Sequence, residues 1–357
     1  MLTKIKIADI LVDSIPFIQE FRGSVVVIKY GGAAQQNLHL KENFAKDIIL
    51  LYMLGIKPII IHGGGKKITQ MLERLNIESE FINGVRVTSK EAMKVVEMVL
   101  RGDINSELTF FFTHFGIKAV GISGKDGALF RAEPKDNGAF GFTGEITQVN
   151  TEILEKLLND GFVPIIAPIA AGDSVEHCGF NINADSVACE IAKALGAEKA
   201  IFLTDTKGVL DENNRVIPTL TPKSARRYKE SGAISGGMIP KIDACVGCVE
   251  SGVKKVHIID GRIPHSILLE IFTSKGIGTQ IIADFALDSI KLAESKSSVE
   301  SVESSVESGV ESGARFAESS VESGAESAES SVESGVESGA RFAESNAEST
   351  ESGAKNA

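Results

Sequence analysis

Three glycine-rich turns, with the charged residues beside them, hold most of the chemistry this sequence offers. Lys29-Tyr30-Gly31-Gly32 follows an apolar run at 25–28, and His62-Gly63-Gly64-Gly65 follows one at 58–61. Each turn then enters a helical pattern. A backbone without Cβ can approach an anion closely, and N–H groups at a helix start point at phosphate or carboxylate oxygens. Plain βα turns are the alternative, but two in succession, the first with Lys29 at the strand end, favour an anion site. A third turn, Ser235-Gly236-Gly237, precedes Met238-Ile239-Pro240-Lys241 and puts a lysine just inside a helix. Such a lysine is either a solvated face residue or a point charge for phosphate. Asn181-Ile182-Asn183-Ala184-Asp185 opens another helix, with Asn and Asp as caps or as an amide and a carboxylate serving a ligand. Arg86, after Asn83-Gly84, reads by itself as a surface-loop residue.

Other reaction classes lack their motifs. Neither strand-end turn gives G-x-G-x-x-G. Ser123-Gly124-Lys125 resembles the end of a P-loop, but Ala119 stands at its first glycine and Asp126 replaces the Ser or Thr. There is no G-x-S-x-G elbow for a serine hydrolase and no H-E-x-x-H. Cys245-x-x-Cys248 has no second pair at metal spacing, and Cys178 and Cys189 do not complete one. The thiols therefore read as structural, and no metal site is expected.

The elements that must position these residues follow from periodicity. Apolar runs at 25–28, 58–61, 119–122, 163–167, 200–203 and 255–259 predict buried strands. Helical patterns lie at 41–54, from 65 through 72, and at 89–100, 153–159, 184–195 and 239–251. Strands alternating with helices imply βαβ units, a largely parallel sheet and sites at the strand C-termini. Residues 130–147, with Asp136-Asn137-Gly138 inside, predict an antiparallel hairpin. Residues 1–21 carry Ile7, Ile10, Leu11, Ile15 and Ile18 at helical spacing with Pro16 among them, which predicts a kinked helix.

The chain has 357 residues, with 37 Lys plus Arg, 48 Asp plus Glu and a net charge of -11. From Glu294 on, 14 Glu face 4 Lys or Arg, so the body before it is near neutral. That argues against a nucleic-acid binder, whose affinity rests on a basic face. No run of 18 apolar residues predicts a membrane helix. The N-terminus shows no signal-peptide core, and the expected compartment is the cytoplasm. The stretch SSVESGVESGARFAES starting at Ser304 recurs letter for letter from Ser330. Ser, Glu, Gly and Ala cannot bury enough apolar surface to offset chain entropy. Residues 286–357 are therefore expected to form a disordered acidic tail, with a solubilising extension, a partner-binding repeat or a transient helix as alternatives.

Taken together and in order, the motifs resemble the amino acid kinase family, in its acetylglutamate kinase branch. The residues that carry the resemblance are Lys29-Tyr30-Gly31-Gly32, His62-Gly63-Gly64-Gly65, Asn83-Gly84-Val85-Arg86, the stretch 121–127, Asn181 through Asp185, Thr204-Asp205 and Gly236 through Lys241. The resemblance covers about residues 5–285. It implies an open three-layer αβα sandwich with a mainly parallel central sheet. An amino-acid-substrate and dimerisation lobe would span 22–197, and an ATP-binding lobe 198–285. The reaction it implies moves the γ-phosphoryl of Mg·ATP onto the side-chain carboxylate of N-acetyl-L-glutamate, the second step of the acetylated route to arginine. ATP and Mg2+ are thereby implied as cofactors.

Roles also follow from the resemblance. Lys29 would neutralise the transferred phosphoryl, Lys241 would hold the leaving β-phosphate, and Asp185 would fix both ammoniums. Backbone at Gly31, Gly32 and Gly64 would face the moving group, as transfer by positioning and charge requires. Gly64, Gly65, Arg86 and Asn181 would bind the substrate. The residues before the first strand resemble those of arginine-inhibited members, whose kinked N-terminal helix links three dimers into a hexamer. That implies a homo-oligomer, L-arginine as inhibitor, and an arginine site at His257, Glu270 and Gly276. Ordinary solvated or capping residues are the alternative for each. Two departures stand out: Ala33-Ala34-Gln35 replaces an expected Asn-Ala-Met, and Thr206-Lys207 adds charge near the nucleotide edge. A sister kinase for N-acetyl-aminoadipate is the nearest alternative, since a methylene changes binding by only about 1–3 kcal/mol. A catalytically weak arginine-binding ring is the other.

Overall fold

Alternate residues of a strand point to opposite faces of its sheet, and this decides where each charged side chain emerges. The computed structural model describes residues 2–35, 37–172, 179–273 and 276–287. The chain opens with helices α1 (Leu2–Asp13) and α2 (Ile15–Phe21). The expected break falls at Ser14, and Pro16 sits in the first turn of α2, where its missing N–H costs no hydrogen bond.

Two strand–turn–helix units follow: β1 (Val25–Tyr30) with α3 (Leu38–Met53), and β2 (Lys57–His62) with α4 (Gly65–Arg74). A small hairpin, β3 (Glu80–Ile82) and β4 (Val85–Val87), leads into α5 (Lys90–Glu97). The periodicity predicts a helix that ends at 100. Instead a π-helical stretch, Met98–Asn105, carries it straight into α6 (Ser106–His114). Next come β5 (Ala119–Ser123), the expected antiparallel pair β6 (Phe130–Pro134) and β7 (Gly144–Val149), α7 (Glu152–Asn159), β8 (Val163–Ala167), β9 (Ile169–Ala170), β10 (Phe180–Asn181) and α8 (Ala184–Ala194). The chain continues through β11 (Lys199–Thr204), β12 (Thr219–Leu220), α9 (Pro222–Glu230), α10 (Met238–Glu250), β13 (Lys255–Asp260), α11 (Ser266–Ile271) and β14 (Thr279–Ile281).

The central sheet has eight strands in the order β12-β14-β13-β11-β1-β2-β8-β5. Neighbours from β13 to β5 are all parallel. Only β14 and its parallel partner β12, at one edge, run against them. One face buries Val27, Ile59, Ile61 and Phe202 beneath α8 and α10, and the other buries Val26, Ile28, Ile60 and Ile201 beneath α3, α5 and α6. Each such side chain gains roughly 1.5–3 kcal/mol on burial. A one-residue slip would exchange the two faces, so the register is firmly set. The architecture is therefore the expected three-layer αβα sandwich.

The expected lobe boundary near 198 falls just before β11. That strand pairs directly with β1, Val26 opposite Lys199 and Lys29 opposite Phe202, so one sheet runs through both parts. Among the described residues no helix is long and apolar enough to cross a membrane. The expected tail falls outside the described residues from 288 on.

Candidate active site

On β1, Val27 faces the α8–α10 layer, so Lys29, two residues on, emerges on that same side at the strand's C-terminal end. Two helix starts meet it there. Asp185 is the second residue of α8, and Lys241 lies in the first turn of α10. Lys29 Nζ is 3.1 Å from Asp185 Oδ1, and Lys241 Nζ is 2.5 Å from Asp185 Oδ2. One carboxylate therefore bridges two ammoniums. Burial alone would raise the Asp185 pKa, but the charges of Lys29 and Lys241 outweigh it and hold the carboxyl well below the usual range. The α8 start favours the anion too. The cap itself is Asn183, whose side chain accepts the Asp185 N–H at 2.7 Å. Asn181 ends β10 instead, so the capping role in that run belongs to neither candidate site residue.

The two glycine turns face this bridge. Gly32 has φ +67, and a Cβ there would stand 2.3 Å from the Asp205 carboxylate. A Cβ on Gly31 would come within 3.0 Å of Lys29 Nζ. Gly64 caps α4, and a Cβ there would strike Leu100 and Ile104 at 2.6 Å. A side chain would thus crowd the lysine at Gly31, the Asp205 carboxylate at Gly32 and the helix behind the turn at Gly64. Two adjoining cavities share Gly63, Gly64 and Gly65 as a wall. One, of about 250 Å³, also touches Lys29, Gly31, Gly32 and Gln35. The other, of about 200 Å³, reaches Arg86, Asn181 and Asn183.

Arg86 is not the surface-loop residue its local sequence suggests. It is only 6% exposed. Its guanidinium donates to the Gly65 carbonyl at 3.2 Å, to Thr69 Oγ1 at 2.8 Å and to Ser79 Oγ, and it lies over the Phe81 ring. All of these partners are neutral, and no carboxylate pairs with it among the described residues. Burial pushes its pKa down. A buried cation without a counter-ion is costly, and an anion arriving in the cavity would relieve that cost. Asn181 lines the same cavity, with its Nδ2 3.2 Å from Thr88 Oγ1. The arrangement suits an elongated acid: a carboxylate held at the Arg86 end, and a highly charged group met by two ammoniums and glycine N–H donors at the other.

A separate cavity of about 140 Å³ brings His257, Glu270 and Gly276 together with Phe17 and Phe21 of α2 and with Lys199. The Glu270 carboxylate accepts the Ile277 N–H at 2.9 Å and lies 2.5 Å from His257 Nδ1 and 3.4 Å from Lys199 Nζ. Burial opposes its ionisation, yet those partners hold its pKa below the usual value. Burial pushes His257 down, toward the neutral ring. With Nδ1 donating to Glu270, Nε2 is a buried acceptor without a partner among the described residues. Gly276, at φ +57, sits against Glu270, where a Cβ would be 2.6 Å from the carboxylate. Lys199 was the missed member of this group. Its signal was a lone charge opening an apolar strand. Cys245 and Cys248 are buried in the α8–α10 core, where burial raises the Cys245 pKa and keeps that thiol inert. Cys178 lies outside the described residues.

Comparison with known proteins bears on these cavities. A sequence model described as the Amino acid kinase family matches residues 24–260. A protein of Wolinella succinogenes named acetylglutamate kinase is 62% identical over 279 residues, 78% of this chain and 98% of its own length. One of the same name from Helicobacter hepaticus is 62% identical over 272 residues, 76% of this chain and 97% of its own. Among solved structures, N-acetylglutamate synthase from Neisseria gonorrhoeae, complexed with coenzyme A and N-acetyl-glutamate, superposes with a TM-score of 0.69 at 25% identity. That match covers 77% of this chain but only 63% of the longer synthase.

Proposed function

Since the chain belongs to the amino acid kinase family, we propose that it transfers the γ-phosphoryl of Mg·ATP to the side-chain carboxylate of N-acetyl-L-glutamate. That is the activity for which its curated relatives are named. The observation that carries the reading is the Lys29–Asp185–Lys241 bridge, beside a cavity that ends in the buried, uncompensated guanidinium of Arg86.

In this reading Arg86 and Asn181 take the substrate's α-carboxylate, and the chain of the acid then runs along Gly64 and Gly65 toward Lys29. The side-chain carboxylate oxygen attacks the γ-phosphorus, the bond to the β–γ bridging oxygen breaks, and ADP departs from an acyl phosphate. Lys29 neutralises the oxygens in transfer and Lys241 the leaving β-phosphate. Gly31, Gly32 and Gly64 supply backbone donors. Bound with the nucleotide, Mg2+ would neutralise phosphate charge; Asp185 is committed to two lysines, so the ion would be held chiefly by phosphate oxygens and water rather than by that carboxylate. The ATP side falls to the lobe from 198 on, and the acid to 22–197.

Arg86→Ala is expected to raise KM for N-acetyl-L-glutamate about 100-fold and to change kcat less than fivefold, because a contact made alike in ground and transition states moves only binding. Initial rates over a range of the acid check this, and a fall in kcat at constant KM would speak against it.

The separate cavity around His257 and Glu270 is proposed to bind L-arginine as an inhibitor. The Glu270 carboxylate and the His257 Nε2 lone pair are acceptors for a guanidinium, and α2 forms one wall. Glu270→Gln is expected to raise the arginine concentration for half-inhibition at least 30-fold while kcat without arginine stays within twofold. Equal inhibition of both proteins would remove this assignment. Ile5, Ile10, Leu11 and Val12 of α1 are more than half exposed. This fits packing of α1 against another copy of the chain in a homo-oligomer, a hexamer built from dimers.

A further inference from the structure

The unexpected Gln35 leads to a set of hydrogen bonds behind the second glycine turn. Its Nε2 lies 3.2 Å from the Tyr30 carbonyl and 3.2 Å from the Gly63 carbonyl, so one amide ties the two glycine turns together. The Gly63 carbonyl has a second donor in His62. This residue follows Ile61 on β2, so it points to the opposite face from Ile61, and it is fully buried. Its Nδ1 is 3.1 Å from Gly63 O, and its Nε2 is 3.2 Å from Asn105 Nδ2. Asn105, buried at the end of the π-helical stretch, also donates to Ile165 O at 2.8 Å and accepts from Arg101 Nη1 at 2.7 Å.

The protons in this chain of groups can be assigned from chemistry. A guanidinium only donates, so the Asn105 atom facing Arg101 is the oxygen and the one facing the Ile165 carbonyl is the nitrogen. The second proton on that nitrogen points at His62 Nε2, which must accept it. A neutral imidazole with an accepting Nε2 carries its own proton on Nδ1, and that N–H faces Gly63 O. Burial pushes the His62 pKa down to about 4, which keeps the ring neutral near pH 7.

We propose that His62, oriented by Asn105, and Gln35 are positioning residues for phosphoryl transfer: by holding the Gly63 carbonyl they fix the Gly63–Gly64 peptide plane and aim the Gly64 N–H at the group in flight. In a trans peptide the N–H and C=O point in opposite directions, so a carbonyl pinned behind the turn fixes the donor in front of it. Gly63 N–H is bound to Tyr30 O at 2.9 Å, so the peptide plane before Gly63 is held as well. Gly64 caps α4, and the first N–H groups of a helix have no acceptor within it. Glycines rotate freely unless held, and a misaimed donor stabilises a transition state poorly. The inference rests on the phosphoryl-transfer reading above.

The test compares full-length wild type, His62→Leu, His62→Asn and Gln35→Leu by steady-state kinetics with Mg·ATP and N-acetyl-L-glutamate, together with the Tm of each. An Asn side-chain amide places an N–H near the position of the imidazole Nδ1–H. His62→Leu is expected to lower kcat about 30-fold and Gln35→Leu about fivefold, each with KM unchanged within twofold, since only the aim of one donor is lost. His62→Asn recovers kcat to within about fivefold of wild type, although it leaves Asn105 short of a partner and lowers Tm as His62→Leu does. A merely structural histidine would show no such recovery. Equal kcat losses in His62→Leu and His62→Asn overturn the proposal, as does kcat within twofold of wild type in both leucine variants. If the His62 variants fail to fold, Gln35→Leu, in a half-buried turn, decides the matter by the same kcat and KM criterion. Absence of turnover in wild type would remove the reaction and the proposal together, which is distinct from retained kcat in the variants.

Discussion

Lys29→Ala lowers kcat about a thousandfold and leaves L-arginine binding unchanged. The expectation follows from position. Lys29 lies near the C-terminal end of β1 on the α8–α10 face, anchored 3.1 Å from Asp185, with Gly31 close enough that a Cβ would stand 3.0 Å from its ammonium. No other side chain in the proposed mechanism brings a positive charge to the transferred oxygens. A factor of a thousand corresponds to about 4 kcal/mol, within the range for removing one preorganised charge or donor from phosphoryl or acyl transfer. Lys29→Arg restores charge without geometry and is expected to recover less than tenfold, because a planar fork does not replace a point charge. Arginine binding, measured by calorimetry, stays intact because the Glu270 cavity shares no residue with this site. Turnover of Lys29→Ala within tenfold of wild type would refute the role.

Asp185→Asn has the second largest expected effect, and it falls on rate and stability together. The carboxylate is the anion between Lys29 and Lys241. With an amide in its place, the two ammoniums repel with no anion between them. They splay away from the phosphates they must meet, and kcat is expected to fall at least a hundredfold. Urea unfolding at pH 7 should show a loss of about 3 kcal/mol, typical for breaking a buried pair. The sign with pH is fixed. A carboxyl whose pKa is depressed by folding contributes its full stability above its unfolded value, and loses that contribution as pH falls through the folded one. The stability gap between wild type and variant should therefore be constant from pH 5 to 8 and close in stronger acid. A gap that widens on acidification would contradict the assignment.

Much of this site was legible in residue order. Alternation along β1 places Lys29 on the face of Val27, and the helical starts after Asn183 and Gly237 bring Asp185 and Lys241 to the same sheet edge. Strand runs and βα turns were likewise enough for the parallel sheet, because buried strands are the most periodic part of the sequence. Arg86 was not legible locally, since its burial comes from Gly65, Thr69 and Ser79, 7 to 21 residues away. The π-helical stretch was invisible as well: Arg101-Gly102-Asp103 interrupts the apolar pattern, and it is the burial of Val99, Leu100, Ile104 and Asn105 on either side that carries the helix through it. Asn105 and Gln35 serve carbonyls distant in sequence, and no spacing rule announces such bonds. Gln35 could be marked as unusual, but its partner Gly63, 28 residues on, appears only in the fold.

The most direct test of the central claim is to trap the product. Full-length protein is incubated with Mg·ATP and N-acetyl-L-glutamate in the presence of hydroxylamine, which converts an acyl phosphate to a stable hydroxamate. ADP and hydroxamate are then counted, with N-acetyl-aminoadipate run in parallel. The account predicts hydroxamate and ADP in equal amounts, saturating with N-acetyl-L-glutamate and at least tenfold slower with the longer acid. ADP without hydroxamate, or faster turnover of N-acetyl-aminoadipate, would contradict it.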